Sequence, residues 1–235
     1  MVIISEDKIN NNTNTKYLQL NLIKSFKFEL ISLYGRLILR TKPKFKNNSL
    51  NLLHLGCGST IFEDWVNADF FSNINIIKFW KPYANNRDWM LDLRYPFNCD
   101  HNVWDGVFSE HTLEHLYPNQ ALQLLNELYR TMKPGAWLRL TVPDLRKYVN
   151  YYCGQTVHEK FNQWQTGCEA IRNLTQDHIH LSVWDSELLG KYLEKVGFFN
   201  IKEVSFMQGT DELLLKDKPE RAWETLYMEA QKPLL

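Results

Sequence analysis

The sequence predicts an α/β fold, a doubly wound and mostly parallel sheet with helices packed on it, and three observations lead there. Apolar runs of strand length alternate with amphipathic runs of helical length after Asn47-Asn48-Ser49, the pattern of parallel strands joined by crossover helices. The first run, Leu52-Leu53-His54-Leu55, ends in Gly56-Cys57-Gly58; glycine at such a turn lets the backbone reverse sharply and pass close to a ligand. Eleven residues after Gly58 stands Asp69, at the end of the next apolar run, where a carboxylate suits a ribose. A nucleoside-containing cofactor is therefore the leading expectation.

The elements follow in chain order. Residues 8–15 are Asn-rich and have nothing to bury, so residues 1–15 read as a disordered tail. Over residues 17–39, Leu20, Ile23, Phe26, Leu30, Leu33 and Leu37 recur at near-helical spacing, with Lys24, Lys27, Arg36 and Arg40 between them. Residues 16–48 thus form a basic amphipathic helix and a linker, leaving 49–235 for the main domain. From Lys16 to Lys46 there are eight Lys/Arg against the single acid Glu29. Either this helix covers its own core with its charges solvated, or it makes a peripheral contact with an anionic membrane surface.

Within the domain, Leu52–Leu55 is the first strand and residues 66–70 the second. Residues 103–109 form a later strand that ends in a polar cluster, where a helix is expected to begin. Asn119 is expected to cap the next helix, with Leu122, Leu125, Leu128 and Met132 as its core face, and Lys133-Pro134-Gly135 to end it before a strand at residues 137–142. Ser182-x-x-Asp185 reads as the start of a further helix that Gly197 closes. Residues 199–206 and 223–230 are the last strands. Between them and the fifth strand, residues 146–175 carry Tyr148, Tyr151, Tyr152, Phe161 and Trp164 without clear periodicity. This segment is either a substrate lid or an inserted helix pair packed by its own aromatics.

Charge and cysteine usage narrow the class. Lys+Arg and Asp+Glu balance at 27 each, so no nucleic-acid partner is expected. The four cysteines are widely spaced without Cys-x-x-Cys, which argues against a structural zinc site and a disulfide scaffold and for reduced thiols in the cytoplasm. No stretch approaches the roughly 20 apolar residues of a spanning helix.

Four motifs in order then resemble the class I S-adenosylmethionine-dependent methyltransferases: Leu53-His54-Leu55-Gly56-Cys57-Gly58, Asp92-Leu93-Arg94-x-Pro96-Phe97, Ser109-Glu110-His111-Thr112-Leu113-Glu114-His115-Leu116, and Met132-Lys133-Pro134-Gly135 continuing to Val142-Pro143-Asp144. The similarity runs over residues 50–233, and is greatest to predicted methyltransferases associated with glycan or secondary-metabolite synthesis. It implies a Rossmann-like, seven-stranded sheet, S-adenosylmethionine as cofactor and a small-molecule or glycan acceptor. On the matching positions, Gly56, Cys57 and Gly58 would turn under the methionine part, Asp69 would bind both ribose hydroxyls, and Asp92 with the backbone of Leu93 would face the adenine. Ser109, Glu110 and His111 would lie beside the sulfonium and the acceptor. His54 is counted with the cofactor set, but it stands where the family usually keeps an acid, leaving the methionine ammonium to other partners. Ile61 occupies the place of a third glycine, and the step to Asp69 is shorter than the roughly 20 residues of a dinucleotide fold.

Methyl transfer from a sulfonium is an in-line displacement that needs alignment and water exclusion rather than a metal, and none is expected. For a hydroxyl acceptor a base helps, and histidine titrates in the right range. His111 is the first candidate, with His178 and His180 behind it; if the chain is extended there, the latter two share one face. His111-Thr112-Leu113-Glu114-His115 also matches the H-x-x-E-H motif of inverted zinc peptidases, for which His178 or His180 could be the third ligand. The glycine turn and the Lys-Pro-Gly unit have no part in that chemistry, and Glu114 and His115 are instead expected to point along a helix into capping or packing bonds. Methylation of base amino groups is disfavoured, because the Asn/Asp-Pro-Pro-Tyr cluster is missing from the end of the fourth strand.

Overall fold

The computed structural model describes residues 25–46, 50–70 and 87–234. Its strands are β1 (Leu52–Leu55), β2 (Val66–Asp69), β3 (Trp89–Met90), β4 (Trp104–Glu110), β5 (Met132–Pro143), β6 (Phe199–Val204) and β7 (Thr225–Gln231). They join one sheet in the order β3-β2-β1-β4-β5-β7-β6. Strands β1 to β5 pair in parallel, while β7 runs antiparallel to both β5 and β6. The chain leaves β1 toward one edge and later returns to lay β4 on the other side of it. Ligands bind at the carboxyl ends of the strands flanking such a reversal, here the ends of β1 and β4.

The central strands are buried on both faces, as a covered parallel sheet requires. Leu53 and Leu55 of β1 point into the main core with Val107 of β4 and Leu138 of β5. Leu52 and Phe108 point the other way, into a smaller cluster with Trp65 and Leu214. This is the two-residue period of a strand written across three neighbours.

No helix lies between β1 and β2. Asn67, fully buried in β2, fastens that short crossover: its amide donates to the carbonyls of Phe62 (2.8 Å) and Trp65 (3.0 Å), and its oxygen accepts from Phe62 N–H (2.9 Å). Such a satisfied buried amide holds an otherwise irregular segment in one conformation. The segment of residues 41–46, which the sequence assigns to the linker, runs beside β3: the Thr41 hydroxyl donates to Met90 O (2.6 Å), and Lys46 pairs with Asp88 (2.6 Å).

Chain positions 25–33 form a helix, α1, continued by a wider turn at Tyr34–Leu39. Phe26, Leu30, Leu33 and Leu37 on it are exposed. The expected tail, residues 1–15, lies outside the described residues. Among those residues no helix is long and apolar enough to cross a membrane.

Helix α2 (Pro118–Thr131) follows Tyr117 as its cap rather than Asn119, because Pro118 takes the first helical position, where its missing N–H costs nothing. Its core face is Ala121, Leu124, Leu125, Leu128 and Thr131; the expected Leu125 and Leu128 lie on it, Met132 is buried at the start of β5, and Leu122 is only half-buried. The backbone is already extended at Met132, so Lys133-Pro134-Gly135 belongs to β5. Helices α3 (Leu145–Tyr152) and α4 (Gly167–Arg172) fill the insertion. Tyr148, Phe161, Trp164, Ala170 and Leu174 form a separate core there, so its aromatics are packed as in an inserted helix pair. Helix α5 (Ser186–Val196) is capped by the Asp185 carboxylate, which accepts from Leu188 N–H (2.8 Å), so Asp185 rather than Ser182 starts it. Gly197 closes it at φ +109°.

Arg139 in β5 is fully buried on the face of the smaller cluster. Its guanidinium donates twice to Asp217 (2.8 and 2.5 Å), once to Glu229 (2.9 Å) and to the carbonyl of Gln208 (3.0 Å). Two carboxylates and a carbonyl satisfy a charge that burial alone would make very costly. This network draws residues 205–217 over the sheet, and the next residue, Lys218, reaches Glu110 at the end of β4.

Candidate functional site

At the end of β1 the backbone N–H groups of Gly56 and Cys57 both donate to Ala68 O (2.9 and 3.1 Å), so the turn is clamped to β2. Gly56 has φ +68°, and a Cβ there would lie 2.0 Å from the Thr112 hydroxyl oxygen. Only glycine lets the end of β1 meet the loop after β4. Gly58 also has a positive φ, +54°, but a Cβ there would find no atom of the described residues within 4 Å. One glycine is thus required by packing, while the other leaves open space over its main chain.

Beside that space lies Asp69. One of its oxygens accepts from Gly58 N–H and the other from Phe70 N–H, both at 2.6 Å. Each carboxylate oxygen accepts two hydrogen bonds, so a lone pair is left on both for a pair of ligand hydroxyls. Arg87 donates to Gly58 O through Nε (3.0 Å) and its terminal nitrogen, closing the turn from the other side. The Cys57 thiol is buried, and that burial pushes it up to about 12, so it acts as an apolar filler rather than a thiolate. Asp92 is held differently: Arg94 grips both its oxygens, Nε at 3.0 Å and the terminal nitrogen at 2.7 Å. Leu93 beside it is half-buried.

His54 lies inside the smaller cluster. It stacks on Phe62 with ring centroids 4.2 Å apart, and its Nδ1 donates to Asn67 Oδ1 at 3.3 Å. Burial lowers its pKa to about 4, so the ring is neutral.

At the end of β4, Ser109 is buried between Leu55 of β1 and Leu140 of β5. Glu110 is tied to Lys218, accepting from its backbone N–H (2.9 Å) and pairing with its ammonium (3.1 Å). His111 follows at φ +48°, a conformation few non-glycine residues adopt. Its backbone N–H donates to Thr141 O (2.9 Å), holding it against β5. The Thr225 hydroxyl spends its hydrogen on Arg221 O (2.7 Å), so toward His111 Nε2 at 2.8 Å it can only accept. His111 therefore carries its hydrogen on Nε2. Its Nδ1 faces the Arg221 guanidinium at 3.0 Å and Glu114 Oε1 at 3.3 Å.

A glycine turn and a carboxylate lie at the sheet reversal, with a bent histidine at the next strand end, and one comparison bears on the family. A family model described as a methyltransferase domain matches residues 26–203. The chain belongs to that family. No curated protein matches it. Among solved structures it is similar to a SAM-dependent methyltransferase from Archaeoglobus fulgidus, at 20% identity over 87% of this chain and 94% of that one, TM-score 0.49. It is also similar to one from Aquifex aeolicus, at 16% identity over 78% and 82%, TM-score 0.45. A third similar structure is Haemonchus contortus phosphoethanolamine N-methyltransferase 2 in complex with S-adenosyl-L-methionine, at 17% identity and TM-score 0.38; it matches 63% of this chain, which spans 37% of its length.

In this methyltransferase the remaining histidines are not on an extended face. Ile179 has φ +58°, so the chain bends between His178 and His180, whose rings still lie 5.6 Å apart. His178 is exposed. His180 is half-buried, donates from Nδ1 to Leu174 O (2.5 Å), and has its pKa lowered by burial. Its ring meets His115 edge-on at 5.0 Å. Only Leu113–His115 is helical in the H-x-x-E-H stretch, a single tight turn, so His111 and His115 are not neighbours on one helix. The zinc-peptidase arrangement is absent. The methyltransferase instead brings His115, Glu114 and His180 together.

Thr112, Asn67, Arg139 and Arg221 are the positioning residues that sequence reasoning passed over. A polar residue inside an apolar strand, as in Val66-Asn67-Ala68 and Leu138-Arg139-Leu140, was the available signal for two of them. Thr112 and Arg221 offer none, since their roles depend on partners far along the chain.

Proposed function

We propose that this domain transfers a methyl group from S-adenosylmethionine to a hydroxyl of a small acceptor, with sugars the first class to test. The observation that carries the reading is the pairing of open main chain at Gly58 with an adjacent Asp69 carboxylate pre-positioned by two backbone N–H groups. Gly56, Cys57 and Gly58 would hold the methionine part, Asp69 the ribose, and Leu93 with Asp92 the adenine. Ser109 and Glu110 would border the reacting end. When bound, the cofactor supplies a methyl group on a sulfonium, poised for displacement. The chain's own task is to seat the acceptor oxygen in line with that methyl and to receive the hydroxyl proton. His111 is the first candidate base, with His178 and His180 as alternates. For His111 to act, Arg221 must withdraw from Nδ1, which the exposed side of that contact permits.

Titration calorimetry with S-adenosylmethionine and S-adenosylhomocysteine tests the cofactor, and a panel of hydroxylated acceptors tests turnover. Binding of neither compound refutes the reading; binding without turnover over the panel identifies a non-catalytic nucleotide-binding module instead.

The exposed apolar residues Phe26, Leu30, Leu33 and Leu37, with Lys27, Arg36 and Arg40 on the same element, favour a second, compatible role for the N-terminal segment. It would rest on an anionic membrane surface. Co-sedimentation with anionic vesicles that vanishes on deletion of residues 1–40 is the expected result, and unchanged co-sedimentation overturns it.

A further inference from the structure

Glu114 is a buried acid. It is 1% exposed, yet neither carboxylate oxygen has a hydrogen-bond partner among the described residues, and no Lys or Arg pairs with it there. A buried carboxylate without a donor is costly unless a positive group compensates it. Two histidines stand beside it. A carboxylate oxygen of Glu114 and one ring nitrogen each from His115 and His180 lie within 4.8 Å of one another.

The tautomers suit metal binding. His180 Nδ1 donates to Leu174 O (2.5 Å), and His115 Nδ1 approaches Ile179 O (3.4 Å). A backbone carbonyl on Nδ1 leaves Nε2 as the bare lone pair, the usual outer-shell arrangement of a metal-binding histidine. The two chain segments are also locked in register: Leu181 and Ser182 N–H both donate to Glu114 O, at 2.8 and 3.1 Å. His111 does not relieve it: its Nδ1 lies 3.3 Å from Glu114 Oε1 without an aligned bond, and the lone pair there accepts from the Arg221 guanidinium at 3.0 Å.

We propose that Glu114, His115 and His180 form a binding site for one divalent transition cation. One carboxylate and two imidazoles suit Mn²⁺, Fe²⁺, Co²⁺ or Zn²⁺, whereas Ca²⁺ and Mg²⁺ seek mainly oxygen. Three protein ligands leave coordination positions open. The site follows the end of β4, so a bound cation would take the acceptor's oxygens there and make its hydroxyl more acidic; this role, though not the site, rests on the methyltransferase reading. His180 then serves as a ligand rather than a base.

The test uses the full chain, stripped with chelator and titrated with Co²⁺ under visible absorption and calorimetry. Saturable d–d bands at one equivalent are expected, with affinity lowered by more than about tenfold in His115→Ala and in His180→Ala. Glu114→Gln is expected to abolish the bands, and thermal unfolding confirms that each variant folds. The absence of saturable bands, or bands unaltered in both histidine variants, overturns the proposal. S-adenosylhomocysteine calorimetry on the same samples separates the two ideas. Cation binding without nucleoside binding sinks the methyltransferase reading and spares the site; the reverse sinks only the site.

Discussion

Replacing each glycine of the turn by alanine should give opposite results, although the two lie two residues apart. At Gly56, φ +68° costs an alanine about 1–2 kcal/mol. Its Cβ would also meet Thr112 at 2.0 Å (Oγ1), 2.7 Å (Cγ2) and 2.9 Å (Cβ). Turning the threonine side chain cannot clear the last of these, so backbone must move, at about 1–3 kcal/mol for overpacking. The sum is about 2–5 kcal/mol, or roughly 4–20 °C in Tm for a domain of this size. At Gly58, φ +54° carries the conformational cost alone, about 1–2 kcal/mol, because none of the described residues comes within 4 Å. There the new methyl enters the space beside Asp69, so the loss should appear in ligand affinity. Thermal unfolding and calorimetry with S-adenosylhomocysteine read the two effects separately. Thr112→Gly combined with Gly56→Ala should recover about 1 kcal/mol or more relative to the summed single changes. Equal destabilisation at the two glycines, or no coupling to Thr112, refutes the reasoning.

Asp69→Ala should weaken S-adenosylhomocysteine binding by about 1.5–3 kcal/mol, the range for charged hydrogen bonds; unchanged affinity in calorimetry removes Asp69 from the site. His54, with its folded pKa near 4 against 6.5, binds its proton more readily once unfolded. Stability that is fully present above pH 6.5 is therefore lost as pH falls through about 4, by roughly 3 kcal/mol at most. Urea unfolding of His54→Leu across that window should show a shallower pH slope, and an unaltered slope counts against a neutral buried ring. Asp217→Ala leaves Arg139 with one carboxylate in a fully buried setting and should cost about 3–5 kcal/mol. A loss in urea unfolding below about 1 kcal/mol, as for an exposed pair, would mean the network does not hold residues 205–217.

Much of the fold is legible because its signals are local. The apolar run of β1, the glycine turn and the acid ending β2 each lie within a few residues, and the structure places them as the pattern implies. Strand β3 was missed because two residues, Trp89 and Met90, are too short to show a period. The expected core face of α2 holds at Leu125 and Leu128, while Leu122 is half-buried because the buried stripe is centred on Ala121, Leu124, Leu125 and Leu128. For the site, the Asp69 carboxylate accepts from Gly58 N–H across eleven residues of chain, a contact that spacing alone does not predict.

The histidines were harder to read, for a physical reason. Whether a ring accepts, donates or lies in the core depends on what the rest of the chain sets beside it. Thr225 decides the tautomer of His111, and Asn67 with Phe62 makes His54 a neutral core residue. By itself, the sequence determined the strands and helices long enough to show a period, the glycine turn after β1 and the acid that ends β2, because backbone conformation and period are properties of neighbours. Only the tertiary structure decided that Glu114 is buried without a hydrogen-bond partner among the described residues and that His180, sixty-six residues on, comes to its side. Burial and electrostatics act through space, and the crossing of the chain from β4 to the segment before α5 creates that contact.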